Sequence, residues 1–269
     1  MRGASRASYA ELRDRLGAVA VGPATSEQIG DQLFAVVRLL DSEHGLRRAL
    51  ADPTKPSAEK AAVTRRLLQG RVSEATEGLV ADAAAARWAS SGDFADALEQ
   101  LAIEALTMAA QYGGTLDDLE DDLFRFGRLV SAQTGLRAAL IGQTTPDAKA
   151  SLLANLLTDK VSGPSLSLIT QVLTHPRGRS PQAVLDLAAS IAARRREQLI
   201  AVVRVATELS AAQRQRLLET LTAAYGQGIH LNVVHDPAVI GGVSVQIGDE
   251  LIDGSAASRL AEVRRRLAG

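Results

Sequence analysis

DPAVIGGVSVQIGDELIDGSAASRLAEVRRRL, residues 236–267, is the stretch whose reading decides the fold. Val243, Val245 and Ile247 alternate with Ser244, Gln246 and Gly248, which is the period of a half-buried strand. Gly248-Asp249 fits a two-residue hairpin turn, so Glu250 to Ile252 is expected to return antiparallel. Asp253-Gly254-Ser255 ends that strand, and Ser255 is placed to cap a helix whose Leu260, Val263 and Leu267 share one face. The unit carries no reactive group that its spacing would explain.

Moving upstream, Leu199 to Ala206 is almost continuously apolar and β-branched, as expected of a strand covered on both faces. Ser210 and Gln213 form a capping box for a helix that carries Leu217, Leu218 and Leu221 and stops at Gly226. Ile229, Leu231 and Val233 then alternate with His230, Asn232 and Val234 as a second strand. The C-terminal part therefore reads β-α-β-β-α, around a small mixed or antiparallel sheet.

The rest of the chain is helical and repeats itself. Asp31 to Pro56 laid over Asp121 to Pro146 matches Leu33 with Leu123, Phe34 with Phe124, Arg38 with Arg128 and Leu39 with Leu129. Gly45-Leu46-Arg47 recurs as Gly135-Leu136-Arg137, and after one deletion Lys60 meets Lys149 and Val72-Ser73 meets Val161-Ser162. So many identities in register argue for duplication. In the second copy Phe94 to Tyr112 is a predicted helix with Leu98, Leu101, Ala105 and Met108 on one stripe, ending at Gly113-Gly114. Thr115 and Asp118 form an N-terminal capping signature for a helix bearing Leu119, Leu123, Phe126 and Val130. Further helices are expected from Thr145-Pro146 to Leu157, from Ser165 to Leu173 and from Pro181 to Arg196. The fold class is mainly α with a small α/β C-terminal domain.

Composition limits the function classes. With 46% hydrophobic and 23% charged residues the chain is globular, and at 269 residues it exceeds one ordinary core. Aromatics are only 3%, so the core must be built from Leu, Val, Ile and Ala. There is no cysteine, which removes disulfides and argues against structural zinc. MRGASRASYAELRDRLG at the N-terminus lacks the apolar segment of an export signal, and an intracellular protein is expected. No apolar run approaches the roughly 18 residues that span a bilayer. Thirty basic and 31 acidic side chains give a net charge of −1, so no global field draws nucleic acid or anionic lipid. A protein partner is expected instead.

Candidate chemistry is sparse. His230 and His235 are five apart on or beside a strand, point to opposite faces and do not form a metal pair. Gly242-Val243-Ser244-Val245-Gln246 lacks the second glycine of a nucleophile elbow, and no phosphate-binding loop ending in Gly-Lys-Ser or Gly-Lys-Thr is present. The acidic run Asp117, Asp118, Glu120, Asp121 and Asp122 suits the start of a helix better than a cation cage, which needs ligands converging from a bent loop. Arg194-Arg195-Arg196 and Arg264-Arg265-Arg266 sit at expected helix C-termini, where cations offset the dipole. No catalytic, cofactor or metal residue is assigned.

The pattern Asp236-Pro237, Ile240-Gly241-Gly242, Gly248-Asp249, Asp253-Gly254-Ser255 and Arg259-Leu260 resembles the C-terminal signature of the delta subunit of F-type ATP synthase, the oligomycin-sensitivity-conferring protein family of mitochondria. Phe94-Ala95-Asp96-Ala97-Leu98 and Ser8-Tyr9-Ala10-Glu11-Leu12 each resemble that family's opening helix. The resemblance implies an extra partial bundle over residues 1–90, a complete bundle over 91–198 and the α/β domain over 199–269. It implies a non-catalytic stator subunit without cofactor, present in a single copy on the cytoplasmic side of the cell membrane. Such a subunit joins the catalytic head, through the N-terminal helices of alpha subunits, to the b-subunit stalk. The head helix would lie in a groove bordered by Leu98, Leu101, Ala105 and Met108 on the first helix and by Leu168 and Val172 on a later one. The alternative is a soluble helical adaptor unrelated to the synthase.

Overall fold

A computed structural model of the chain describes residues 3–142, 145–196, 199–207, 209–225, 229–236, 239, 242–247 and 250–253, with backbone alone at 196, 199, 200, 230, 232, 235, 250 and 253. It divides into two compact units, Met1–Arg194 and Arg195–Gly269.

The first unit is all helix: α1 (Ala4–Val19), α2 (Pro23–Ser42), α3 (His44–Ala51), α4 (Ser57–Leu68), α5 (Glu74–Ala85), α6 (Ser91–Tyr112), α7 (Leu116–Ala132), α8 (Thr134–Ile141), α9 (Pro146–Leu157), α10 (Gly163–Thr174) and α11 (Pro181–Arg196), whose last two residues belong to the second unit. The repeat is built into the contacts. Ser73 caps α5 by accepting from the Thr76 amide at 3.3 Å, while Gln32 on α2 accepts from the Ser73 amide at 3.0 Å. In the second copy Ser162 caps α10 through Ser165 at 3.3 Å, and Asp122 on α7 accepts from the Ser162 amide at 3.3 Å. Each Asx/Gln side chain satisfies an orphan amide at the mouth of the neighbouring helix. Asp122 thus does more than complement its own helix dipole.

The expected division at residue 90 does not separate two cores. Helix α6 begins 90 residues before α11, Ser91 against Pro181, so it closes the first copy as α11 closes the second while also opening the second. One apolar core runs from Leu12 and Leu33 through Leu98 and Leu106 to Leu168 and Ile191. The physical reason is the run Leu101 to Ala110, buried at every position with Glu104 and Thr107 among them, because so largely apolar a helix must be covered on nearly every side. Residues 1–90 supply part of that cover, through α1, α2, α3 and α5. The Thr115 expectation is also corrected: its side chain makes no cap and donates back to the Ala110 carbonyl at 3.4 Å. Leu119, Leu123, Phe126 and Val130 are buried as their spacing predicts.

The second unit holds a four-stranded mixed sheet in the order β2-β1-β3-β4, with β1 (Leu199–Val205), α12 (Ala211–Tyr225), β2 (Ile229–His235), β3 (Val243–Ile247) and β4 (Glu250–Asp253) in chain order. β1 runs parallel to β2 across α12 and antiparallel to β3. Ile247 pairs with Glu250, so β3 and β4 form the expected antiparallel hairpin. The capping box forms: the Ser210 amide donates to Gln213 Oε1 at 2.9 Å and the Gln213 amide to Ser210 Oγ at 3.3 Å. β1 departs from expectation, since Ala201, Val203 and Val205 are buried while Val202 and Arg204 are only half-buried. One face of β1 therefore makes the core with Leu221, Leu231 and Val245. The expected final helix lies outside the described residues.

Candidate functional site

The stripe expected to border an open groove is closed. Leu98, Leu101, Ala105, Met108, Leu168 and Val172 are all at most 1% exposed. On an adjoining face of α6, over Ala102 and Leu106, lies α2, an amphipathic helix whose Ile29, Leu33, Phe34, Val36, Val37 and Leu40 are buried. The approach is close because Gly30 has no side chain: a Cβ there would stand 2.8 Å from Leu106 and 3.2 Å from the Ala102 carbonyl. The sequence reading took one stripe of α6 and missed the other; the run Leu101–Ala110, broken only by Glu104 and Thr107, was the available signal.

Polar contacts fasten α2 in this position. Arg38 donates to Gln171 Oε1 on α10 at 2.8 Å, and Ser167 and Gln171 donate to Asp31 at 3.2 and 3.4 Å. Arg177, in the turn between α10 and α11, reaches Asp41 on α2 at 2.7 Å and Asp96 and Glu99 on α6 at 2.7 and 3.0 Å. Arg179 adds a second cation to Glu99, whose side chain is almost wholly buried. Burial works to lower the Arg177 pKa, and the carboxylates of Glu99, Asp41 and Asp96 outweigh it, so the net shift is upward. Beside it the His175 pKa is lowered, first by burial and then by Arg38, with Asp41 opposing.

On the other side of α6, Tyr9 donates to Glu104 at 2.8 Å and Arg13 approaches the same carboxylate at 3.1 Å. Burial, then Glu104, pushes the Tyr9 phenol far above its ordinary value, so it stays a neutral donor. Ser5 donates to Asp93 at 2.6 Å. α1, α2, α6 and α10 are thus locked by ionic and hydrogen-bonded contacts as well as by packing.

An open apolar surface does exist, on a different seam. Between α7 and α11 lies a cleft of about 420 Å³, walled by Phe124, Arg128, Gln182 and Asp186 over a floor of Leu123 and Leu185. Phe124 is 62% exposed, with the Arg128 guanidinium over its ring at 5.9 Å. Ser131 donates to Gln182, and Gln182 to Asp186, along one wall.

In the second unit, Gly242 has φ of 84°, a left-handed conformation that glycine takes without strain. Asp236 donates its amide to the Val205 carbonyl at 2.9 Å and accepts from the Val239 amide at 3.1 Å, tying the approach to the hairpin onto the end of β1. The Asp253 backbone pairs with Ser244. Pro237, Gly241, Gly248, Gly254, Ser255, Arg259 and Leu260 lie outside the described residues. A second cleft of about 430 Å³ is lined by Leu209, Gln213, Arg216, Leu217 and Gly242. Among the described residues no group of three His, Cys, Asp or Glu side chains is placed to hold a metal ion, and no helix is long and apolar enough to cross a membrane.

The sequence profile of the family described as ATP synthase delta (OSCP) subunit matches residues 103–267. The chain is 45% identical to the ATP synthase subunit delta of Streptomyces griseus and 45% identical to that of Thermobifida fusca, in each case over 100% of both chains. The same subunit of Kineococcus radiotolerans is 45% identical over 99% of this chain and 98% of its own length. These matches include the N-terminal copy, so the long form is common to the relatives.

Proposed function

Because the chain belongs to the ATP synthase delta (OSCP) family, we propose that it is a peripheral-stalk subunit of a proton-transporting F-type synthase, holding the catalytic head to the b-subunit stalk. The end-to-end match to relatives called ATP synthase subunit delta carries this reading. It leaves the unrelated-adaptor alternative without an observation in its favour. The helical unit takes the head, through N-terminal helices of alpha subunits, and the α/β unit takes the b chains. The subunit is non-catalytic, acts in single copy and sits at the cytoplasmic face of the cell membrane without spanning it.

Its task is mechanical. Torque from the rotor drives synthesis only if the head is held still, so the linking element must not yield. Two properties suit the helical unit to this. Its copies share α6 instead of meeting at a linker, and the Arg177–Glu99 and Tyr9–Glu104 contacts tie three helices across that shared axis. Load is then spread over a continuous core and several anchor points. The test uses inverted membrane vesicles stripped of this chain. ATP-driven proton pumping is expected to vanish while ATP hydrolysis by the head persists, and the purified full chain restores pumping. Full pumping without the chain refutes the stator role.

A further inference from the structure

The turn between α10 and α11 has a backbone conformation that its residues do not favour. The Arg179 amide donates to the Pro176 carbonyl at 3.0 Å, closing a tight turn whose two central residues, Arg177 and Gly178, have φ of 53° and 77°. Glycine takes that left-handed region freely, whereas a residue with a Cβ enters it at a cost, and turns of this kind ordinarily carry Asn, Asp or Gly first. Arg177 is held there by its side chain. Its guanidinium donates at 2.7 Å to Asp41 on α2 and at 2.7 and 3.0 Å to Asp96 and Glu99 on α6, and the side chain is only 12% exposed. Arg47 on α3 fixes Asp41 in turn, at 2.8 Å.

The element that leaves this turn is α11, whose last two residues already belong to the second unit. A pull on that unit therefore enters the helical core along α11. The flank of α11 toward α7 is loosely packed: the repeat places Glu120 where α2 has Gly30, the residue that lets α2 close on α6, and the cleft of about 420 Å³ lies there. With that flank open, the anchorage at the start of α11 counts for more. We propose that the N-terminal copy of the repeat braces this connector. Asp41 and Arg47 of the first copy, with Asp96 and Glu99 of the shared helix, hold Arg177 in the left-handed conformation and so fix the direction in which α11 leaves the core. The first copy also grips the helix that enters the turn, through Arg38 and Asp31 on Gln171 and Ser167 of α10. Arg177 is a positioning residue, and residues 1–90 have a task besides covering α6.

The test is hydrogen exchange of the full chain, followed peptide by peptide in the wild type, Asp41→Asn, Arg177→Ala and Arg177→Gly. Asp41→Asn keeps the shape of the side chain and removes its charge. It is expected to speed exchange in residues 181–194 by about tenfold, with α1 and α4 at wild-type rates, and it carries the test alone where Arg177→Ala does not fold. Arg177→Ala loses the ties and keeps a Cβ, so exchange of α11 is expected to be about fivefold faster than in Arg177→Gly, which takes the same turn without strain. Faster exchange in every helix alike shows a loss of general stability and overturns the brace. Wild-type exchange of α11 in Asp41→Asn also overturns it, because the first copy then holds nothing at the turn. Equal exchange in the Ala and Gly variants overturns the strained turn on which the brace rests.

Discussion

The Arg177 guanidinium lies 3.0 Å from the Glu99 carboxylate, joining the turn after α10 to a helix that both copies of the repeat share. Glu99 is otherwise surrounded by core, and Arg179 supplies it with a second cation. Removing Glu99 takes away a buried acceptor from both arginines, while Arg177 keeps Asp41 and Asp96 at 2.7 Å.

Glu99→Ala is therefore expected to destabilise the chain by about 1–3 kcal/mol. Arg125→Ala, which breaks a solvent-exposed pair with Asp121 one helical turn away, is expected to change stability by less than about 0.5 kcal/mol. Urea denaturation of the full chain measures both. Equal effects would mean that the Arg177 cluster is held by packing alone.

The closed stripe on α6 sets a second expectation. Leu101→Asp and Met108→Asp put a charge into core with no water and no partner, a loss of more than about 4 kcal/mol. Gly30→Val, which forces α2 off α6 by meeting Leu106, is expected to cost about 1–3 kcal/mol by overpacking. Melting temperature and affinity for an alpha N-terminal peptide are to be read on the same variants. Loss of binding with full stability in Leu101→Asp would restore the α6 stripe as the docking site.

His175 gives the helical unit a pH dependence of known sign. Its folded pKa lies below the ordinary 6.5, mainly through burial, so the unfolded chain takes up a proton more readily than the folded one. The stabilisation is complete above pH about 6.5 and is lost as pH falls from there through the folded value. Groups facing the ring include Thr174, whose hydroxyl is 2.9 Å from Nδ1, with Arg38, Lys149 and Asp41 around it. Unfolding free energies measured from pH 5 to 8 should rise less steeply in His175→Gln than in the wild type. Parallel profiles would show the imidazole to be solvated in both states.

Much of this architecture was legible in the residues, and the gaps have physical causes. Pro146, Pro181, Ser210 with Gln213, and the Val243–Ile247 alternation mark element starts and faces by local rules, and the elements begin where those rules put them. Thr115 obeys the same local rule, but its hydroxyl finds the Ala110 carbonyl of the preceding helix first. The shared role of α6 was invisible to a one-stripe reading because periodicity reports which face is apolar, not how many neighbours compete for it. The open cleft was harder still. Phe124 reads like its counterpart Phe34 in sequence, yet Phe34 is buried and Phe124 is exposed, a difference that tertiary packing sets.

The last expectation concerns the hairpin of the α/β unit. At φ of 84° Gly242 occupies a region that a β-branched residue enters only under strain, at about 1–3 kcal/mol. Gly242 also borders the cleft beside Arg216 and Leu217 of α12, so the cost falls where β3 begins and near the surface assigned to the stalk. Gly242→Val should leave this chain attached to the head through its helical unit while the hold on the b chains weakens. ATP-driven proton pumping in inverted vesicles is expected to fall, with ATP hydrolysis and the amount of this chain on the head unchanged. Ser210→Ala serves as the control for stability alone, since it removes the α12 cap, worth about 0.5–2 kcal/mol, at an exposed position. If both variants lower the melting temperature alike and only Gly242→Val uncouples pumping, the hairpin transmits force to the stalk. Normal pumping in Gly242→Val, with the chain still bound, would leave that glycine a requirement of folding alone.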